Sequence, residues 1–351
     1  MRANWFDGKR WLIVEADFDA ETMASLDERR NDSLPTLVPG LADIHCHGVA
    51  GHDVNEGGAV ETIAELRRRG VEWVCPTTVA APLEQVRAIV EEVPPDTPGF
   101  AGFHLEGPYL SAAYPGAQPE AHLLPPSAKE FGAVLGDLLP KVRIVTLAPE
   151  LHGSEELIRF LYQSGVVVSA GHTAADSQVM EAAASAGVRH ITHLFNAMRP
   201  FHHRDPGIVG FGLTTTVVCE FIYDRVHVSR LAVSLLFGAK RLSDVVAVSD
   251  GTSLSGLPSG TVGRLWGKEV RVEGRAARLS DGRLCGSVAT LPEVFQMLWQ
   301  DFREFPERAV AACSLTPRRA LGLPPPEMWL VVGKDGAIEE LRTGNLRPPA
   351  A

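Results

Sequence analysis

Cysteine is scarce in this chain. The five present (Cys46, Cys75, Cys219, Cys285 and Cys313) are widely spaced and form no Cys-x-x-Cys pair, which argues against a disulfide framework and fits a reduced, cytoplasmic setting. No apolar run approaches the roughly 18 residues of a membrane span. The opening stretch "MRANWFDGKRWLIVEADFDA" has no long apolar segment and no small-residue cleavage site, so no secretory signal is expected. Positive charge is in deficit, with 33 Lys and Arg against 43 Asp and Glu and a net charge of -10. That balance argues against a nucleic-acid partner, whose phosphates need a basic face. A small anionic substrate is still allowed, because one local arginine can act against the global sign. Fixed-period repeats and low-complexity tracts are absent. No Gly-rich dinucleotide loop follows an early strand, which counts against an open doubly wound sheet.

What the chain does have is length and a recurring apolar pattern. Its 351 residues are 45% hydrophobic and 22% charged, an ordinary balance for a globular protein. Strand-like runs occur at 37–47, 71–80, 99–107, 141–150, 166–173, 189–195, 214–224 and 244–251. Continuous apolar runs of this kind suit parallel strands covered on both faces. Helical patterns lie between several of them. "AVETIAELRRRG" ends at Gly70, "GSEELIRFLYQSG" has Ser154 as an expected N-cap and Gly165 as its stop, and "TAADSQVMEAAASAG" ends at Gly187. Eight such strands predict an α/β fold, a (β/α)8 TIM-like barrel. The two ends read as short strands with turns. They predict a small β-sandwich domain from 1–36 and 324–351 beside a barrel over 37–323, with the Pro-rich "LGLPPPE" as linker.

In such a barrel the chemistry sits at the C-terminal ends of the strands. His45 and His47 end the first run, His104 and Glu106 the third, His172 the fifth, His193 the sixth and Asp250 the eighth; His227 lies just past the seventh. Strand side chains alternate, so His45 and His47 point the same way, as do His104 and Glu106. A lone histidine at a strand end is usually a hydrogen-bonded structural residue. Several imidazoles and carboxylates at one barrel mouth are instead what a divalent first-row metal needs. His104 reads as a supporting residue behind the ligands. His122, His152, His190 and His202 read as surface or structural, and His52 and His203 are open. Asp250 precedes a glycine, as turn-forming acids do. Its register with the ligands favours a functional acid that takes a proton from water and passes it to a leaving amine.

These residues fall in stretches that resemble the N-acetylglucosamine-6-phosphate deacetylase family of the amidohydrolase superfamily. The matching motifs are "PGLADIHCHG" (39–48), "HLEGPYLS" (104–111), "GHTAAD" (171–176), "THLFNAM" (192–198), "RDPGIVG" (204–210), "VSDG" (248–251), "GSVATL" (286–291) and "SLTPRRALGL" (314–323). "HLEGP" with "THLFNAM" is specific, because the superfamily at large carries a lysine or other ligands there.

The resemblance implies a tightly held metal on Glu106, His172 and His193. Since "HCH" is kept, it also implies a second ion on His45 and His47, giving one or two divalent metals per subunit, zinc or iron. It makes Asp250 the catalytic acid and His227 a substrate contact that helps stabilise the oxyanion. Further substrate contacts fall on Asn196, Ala197, Ala117 and Gln118, and on Cys285, Gly286 and Ser287 of a loop, "LCGS", that closes over the substrate. Arg204 would bind the sugar phosphate from the neighbouring subunit of a homodimer, for which a bidentate guanidinium is suited. The implied activity is release of acetate from N-acetylglucosamine 6-phosphate, with no nucleic-acid or membrane partner. The chain departs from the family at Gln118, where a histidine is usual, at Arg225, where glycine is usual, and in the divergent 1–36 segment. Arg225 is expected to add a phosphate contact or narrow the pocket. Two other readings remain open on sequence alone: deacylation of a different N-acyl sugar or cyclic amide, and a non-catalytic sugar-phosphate binding paralogue.

Overall fold

The computed structural model describes residues 1–280 and 282–347. Eight strands run in parallel, each beside its sequence neighbour: Leu41–Cys46, Val71–Thr78, Phe103–Glu106, Val142–Leu147, Val167–Ala170, Val188–Ile191, Val218–Ile222 and Val245–Val248. We refer to them as barrel strands one to eight. The backbone just past strand eight returns to strand one, since the Asp250 N–H donates to His45 O (3.0 Å) and the His47 N–H to Gly251 O (2.7 Å). The ring of strands is thereby closed, and each run expected from the sequence supplies one of them.

The helical expectations also hold, with small shifts that have local causes. Helices span Ala59–Arg68, Ser154–Gln163, Ser177–Ala186 and Arg230–Ala239. Asp176 and Ser229 cap the last two, each accepting from a first-turn N–H. Ser154 is not a cap. Gly153 takes that position at φ 88°, and the Ser154 hydroxyl donates to Ala148 O at 2.8 Å, tying the helix to the end of strand four. Among the described residues no helix is long and apolar enough to cross a membrane.

The run read as one strand over 37–47 is two. Thr36–Pro39 joins a six-stranded mixed sheet and Leu41–Cys46 joins the barrel. The break falls at Gly40. A Cβ there would sit 2.7 Å from the Glu72 Cβ and 3.1 Å from the Met328 Cβ, so only glycine lets the chain pass between the two sheets. Glu72 is held in this junction by Arg318 and by the Glu327 and Met328 N–H groups. The small β domain formed by the two ends is, in its hydrogen bonding, this single sheet. Its order is Ile338–Thr343, Met328–Val332, Thr36–Pro39, Arg2–Phe6, Trp11–Asp17, Thr22–Asp27.

A further element was not foreseen. Between strand eight and the helix Leu291–Asp301 lies a four-stranded antiparallel sheet: Val262–Leu265, Lys268–Glu273, Ala276–Leu279 and Leu284–Ser287. Its core is Leu254, Leu265, Val270, Val272, Ala277, Leu279, Cys285 and Val288. The alternation in "KEVRVEG" and the glycines at its turns are hairpin signals. The expected closing loop "LCGS" is thus the last strand of this sheet.

Replacing Gly40 by alanine should lower stability by about 1–3 kcal/mol, the usual cost of overpacking, read as a fall in thermal midpoint. An unchanged midpoint would show that the junction can give way.

Candidate metal centre and active site

The strand ends deliver their polar side chains into one buried cluster. Glu106 closes strand three, and its Oε1 lies 3.1 Å from His172 Nε2 and 3.0 Å from His193 Nε2; the two Nε2 atoms are 3.1 Å apart. On the other side His45 Nε2 and His47 Nε2 are 3.3 Å apart. Asp250 Oδ1 lies 3.3 Å from each of them, and His47 Nε2 is 3.2 Å from Glu106 Oε2. Glu106 therefore stands between two groups that could hold an ion, one with His172 and His193 and one with His45 and His47.

The tautomers follow from the partners. His47 Nδ1 faces Thr77 O at 3.0 Å and His172 Nδ1 faces Tyr114 O at 2.9 Å. A carbonyl only accepts, so both Nδ1 atoms carry hydrogen and donate. A neutral ring then presents a lone pair at Nε2. His45 is oriented the same way by Glu220 Oε2, 3.2 Å from its Nδ1. Lone pairs and carboxylate oxygens about 3 Å apart repel unless positive charge lies among them. The titration tendencies agree. Burial works against a charged His45 and against a charged His47. Glu106 and Asp250 outweigh it, raising His45 well above its ordinary value and His47 to about 9. Burial would raise Asp250 as well, yet His45 and His47 bring it down to about 2. Nitrogen and oxygen donors in this arrangement fit a divalent transition metal.

Supporting residues hold the ligands from behind. Gln118 donates to Glu106 Oε2 and accepts from the Ala80 N–H at 2.8 Å. The glutamine that departs from the family pattern is thus a prop for the central carboxylate. His104 lies close enough to His45 and Glu220 for the three to hold an ion, but both its ring nitrogens are engaged in hydrogen bonds, with Ile44 O at 3.1 Å and Thr146 Oγ1 at 2.7 Å. From Thr146 a hydroxyl chain continues to Thr192 and Ser169 inside the barrel, so these hydroxyls satisfy one another. Glu220 was missed in the sequence reading. A lone acid inside the apolar run "TVVCEFI" was its signal.

A cleft of about 190 Å³ opens onto the cluster. His47, Glu106, His172, His193 and Asp250 form its floor, and Ala117, Gln118, Asn196, Ala197 and His227 line its walls. His227 is set by Asp224, whose Oδ2 accepts from His227 Nδ1 at 2.6 Å and whose Oδ1 accepts from two backbone N–H groups. Burial disfavours its charged form, but Asp224 outweighs this and raises its pKa. Of the "LCGS" stretch, Leu284 and Gly286 reach the cleft. The Cys285 side chain is instead packed in the core of the four-stranded sheet, and the Ser287 hydroxyl donates to Asp224 Oδ2 at 3.0 Å. Arg225 does not enter the cleft. Its guanidinium pairs with both oxygens of Asp301, at 2.7 and 2.8 Å, so neither role expected of it at the pocket applies. Arg204 is exposed, beside His203 and outside the cleft of its own chain.

Backbone strain is concentrated here. Nine non-glycine residues among those described have positive φ, and five of them (His172, His193, Ala197, Asp250 and Trp266) line the cleft. Such conformations cost on the order of 1–3 kcal/mol each and persist where the surroundings over-determine them.

The sequence matches the amidohydrolase family over residues 36–326. The chain belongs to the amidohydrolase family. It is 38% identical to the human N-acetylglucosamine-6-phosphate deacetylase, covering 94% of this chain and 85% of that one. It is 33% identical to an N-acetylgalactosamine-6-phosphate deacetylase of Escherichia coli O157:H7, covering 97% and 92%. A solved structure of a variant N-acetyl-D-glucosamine-6-phosphate deacetylase from Mycobacterium smegmatis, in complex with N-acetyl-D-glucosamine-6-phosphate, superposes with a TM-score of 0.86 at 28% identity over 97% of each chain. Within the amidohydrolases the chain groups with these deacetylases.

Removing the Gln118 prop (Gln118→Ala) should weaken retention of a divalent metal by about 10–100-fold, the usual effect of losing a partner behind a ligand. Competition with a chelator measures it, and wild-type retention in the variant would assign Gln118 to the substrate alone.

Proposed function

We propose that this amidohydrolase removes the N-acetyl group of N-acetylglucosamine 6-phosphate, giving glucosamine 6-phosphate and acetate. The observation that carries the reading is the position of Asp250. Its carboxylate stands 3.3 Å from His45 Nε2 and His47 Nε2, on the floor of a cleft that also exposes Asn196, Ala197 and His227.

Glu106, His172 and His193 would hold one divalent ion, zinc or iron, with His45 and His47 as ligands of a second. When bound, such an ion lowers the pKa of a coordinated water and polarises an amide carbonyl. The chain's own residues do the rest. Asp250, ionised at neutral pH, takes the proton of the attacking water. It then gives that proton to the sugar nitrogen as the C–N bond breaks. His227, locked by Asp224, presents Nε2 to the acetamide oxygen. Asn196 and the backbone around Ala197 and Gly286 orient the sugar. Gln118 serves the carboxylate of Glu106 and borders the sugar through the same wall.

The phosphate needs a cation, and no lysine or arginine of this chain lines the described cleft. We place Arg204 of the partner subunit there. Phe201, three residues earlier in the same exposed stretch, is 55% exposed, which supports an intersubunit contact for this segment. The five cysteines are all free and buried, in keeping with a reducing, cytoplasmic setting.

The decisive assay is acetate release by metal-reconstituted protein from N-acetylglucosamine 6-phosphate, its galacto epimer and unphosphorylated N-acetylglucosamine, with bound metal counted on the same sample. Release from the 6-phosphates and not from the free sugar is expected. The Asp250→Asn variant should lose about 10²–10⁴-fold in kcat, the usual share of a general acid–base, while keeping its metal. Undiminished turnover in that variant would remove Asp250 from the mechanism.

A further inference from the structure

The four-stranded insert does more than cover the barrel mouth. Its first hairpin turns at Trp266 and Gly267, between the paired residues Leu265 and Lys268. Both turn residues have positive φ, 51° and 81°. That is the geometry of a tight two-residue hairpin turn, whose first position usually takes asparagine, aspartate or glycine. A tryptophan there is disfavoured by the backbone, so its presence calls for a reason in the side chain. The side chain lies in the cleft wall. Its ring meets the ring of His47 edge to face, with centroids 5.4 Å apart, and its indole Nε1 is buried with no partner among the described residues.

The hairpin is also fastened beside the cleft. Lys268 Nζ donates to Ala117 O at 3.0 Å, and Ala117 and Trp266 pack against the same apolar core of the insert. Lys268 thus ties the turn to the loop that carries Gln118, the prop of Glu106. Trp266 is thereby held over the acidic and imidazole floor and not over the outer rim.

We infer that Trp266 is a specificity-determining residue that forms the wall of the acyl subsite and limits the acyl group to acetyl. This rests on the deacylase reading above. Hydrolysis requires the amide carbonyl carbon to lie near Asp250, so the acyl methyl, one bond away, must lie near the floor as well. Of the apolar side chains around the cleft, Trp266 packs directly on a ring of that floor. A rigid indole in this place leaves room for a methyl group and meets any longer chain.

The test is a chain-length series. Metal-loaded wild type, Trp266→Phe and Trp266→Ala are compared on N-acetyl-, N-propionyl- and N-butyrylglucosamine 6-phosphate, with kcat and KM taken separately. One methylene in an apolar pocket is worth about 10–200-fold in discrimination. The wild type should therefore prefer acetyl, and Trp266→Ala should shift the acetyl-to-propionyl ratio of kcat/KM by about tenfold or more toward propionyl. Trp266→Phe, which keeps an aromatic wall and lacks the N–H, should stay near the wild-type ratio. Acetate release by the wild type with the same chain-length ratio in Trp266→Ala overturns the inference and leaves the deacetylase reading standing. No release by the wild type from any of the three overturns both.

Discussion

The structure is organised around one electrostatic constraint. Two carboxylates, Glu106 and Asp250, share a buried space with the Nε2 atoms of His45, His47, His172 and His193, at separations of about 3.0 to 3.6 Å. Two of these rings have their Nδ1 hydrogens committed to backbone carbonyls. What remains at the centre is electron-rich, and a low-dielectric interior tolerates it only with positive charge among the donors. The rest of the barrel mouth can be understood as the means of keeping these atoms from relaxing apart. Backbone hydrogen bonds close strand eight on strand one beside His45 and Asp250. Gln118 and Glu220 hold two of the groups from outside the cluster. The left-handed backbone at His172, His193 and Asp250 is the local cost of turning side chains inward just where the strands end.

This constraint also explains which parts of the molecule could be read from the sequence. The barrel was legible because each parallel strand is covered on both faces and therefore appears as a continuous apolar run. The cluster of candidate ligands was legible because imidazole and carboxylate at the ends of such runs have few other uses in combination. Gly40 was not legible as a boundary. The apolar pattern runs straight through it, and only the approach of Glu72 and Met328 shows that the strand must pass from one sheet to another. Arg225 was misjudged because a sequence position beside His227 says nothing of direction. Its partner, Asp301, lies on a helix 76 residues away. Glu220 was not legible because one acid among the apolar neighbours Val217, Val218, Cys219, Phe221 and Ile222 looks like an exception to a strand, when it is the group that orients His45.

The four-stranded insert was the largest omission, and the reason is physical. Its strands are short and half exposed, and their alternation is weak beside the barrel runs. The insert is stabilised as a unit by its own small core and by backbone bonds at Asp250, Thr252 and Ser287, none of which has a local sequence signature. Gln118 shows the same limit at the level of one residue. Its side chain borders the cleft, and its amide also holds Glu106 and accepts from the Ala80 N–H, which no local pattern announces. An uncharged side chain is suited to that task, since it can donate to the carboxylate without neutralising it as a cation would.

Chemistry and choice of substrate therefore rest on elements of different rigidity. The groups that would bind metal and move protons stand on strand ends locked into a closed ring, where a displacement of one strand is resisted by its two neighbours. The residues that would recognise the substrate come from connections: the Gly116–Gln118 loop, the segment around Asn196 and the insert. The segment around Asn196 can change without moving Glu106 or Asp250, because barrel strands and loops are separately stabilised, whereas Gln118 holds Glu106 directly and the insert is bonded to Asp250 O through the Ser287 N–H. The Lys268 bond to Ala117 joins the insert to the Gly116–Gln118 loop. It couples the insert to the loop that supports the carboxylate of Glu106, so a change in the hairpin that broke this bond would be felt at Glu106 through Gln118. Substitutions at Trp266 that spare Lys268 act on the cleft wall and on the ring contact with His47, whereas substitutions at Lys268 reach Glu106 through Ala117 and Gln118.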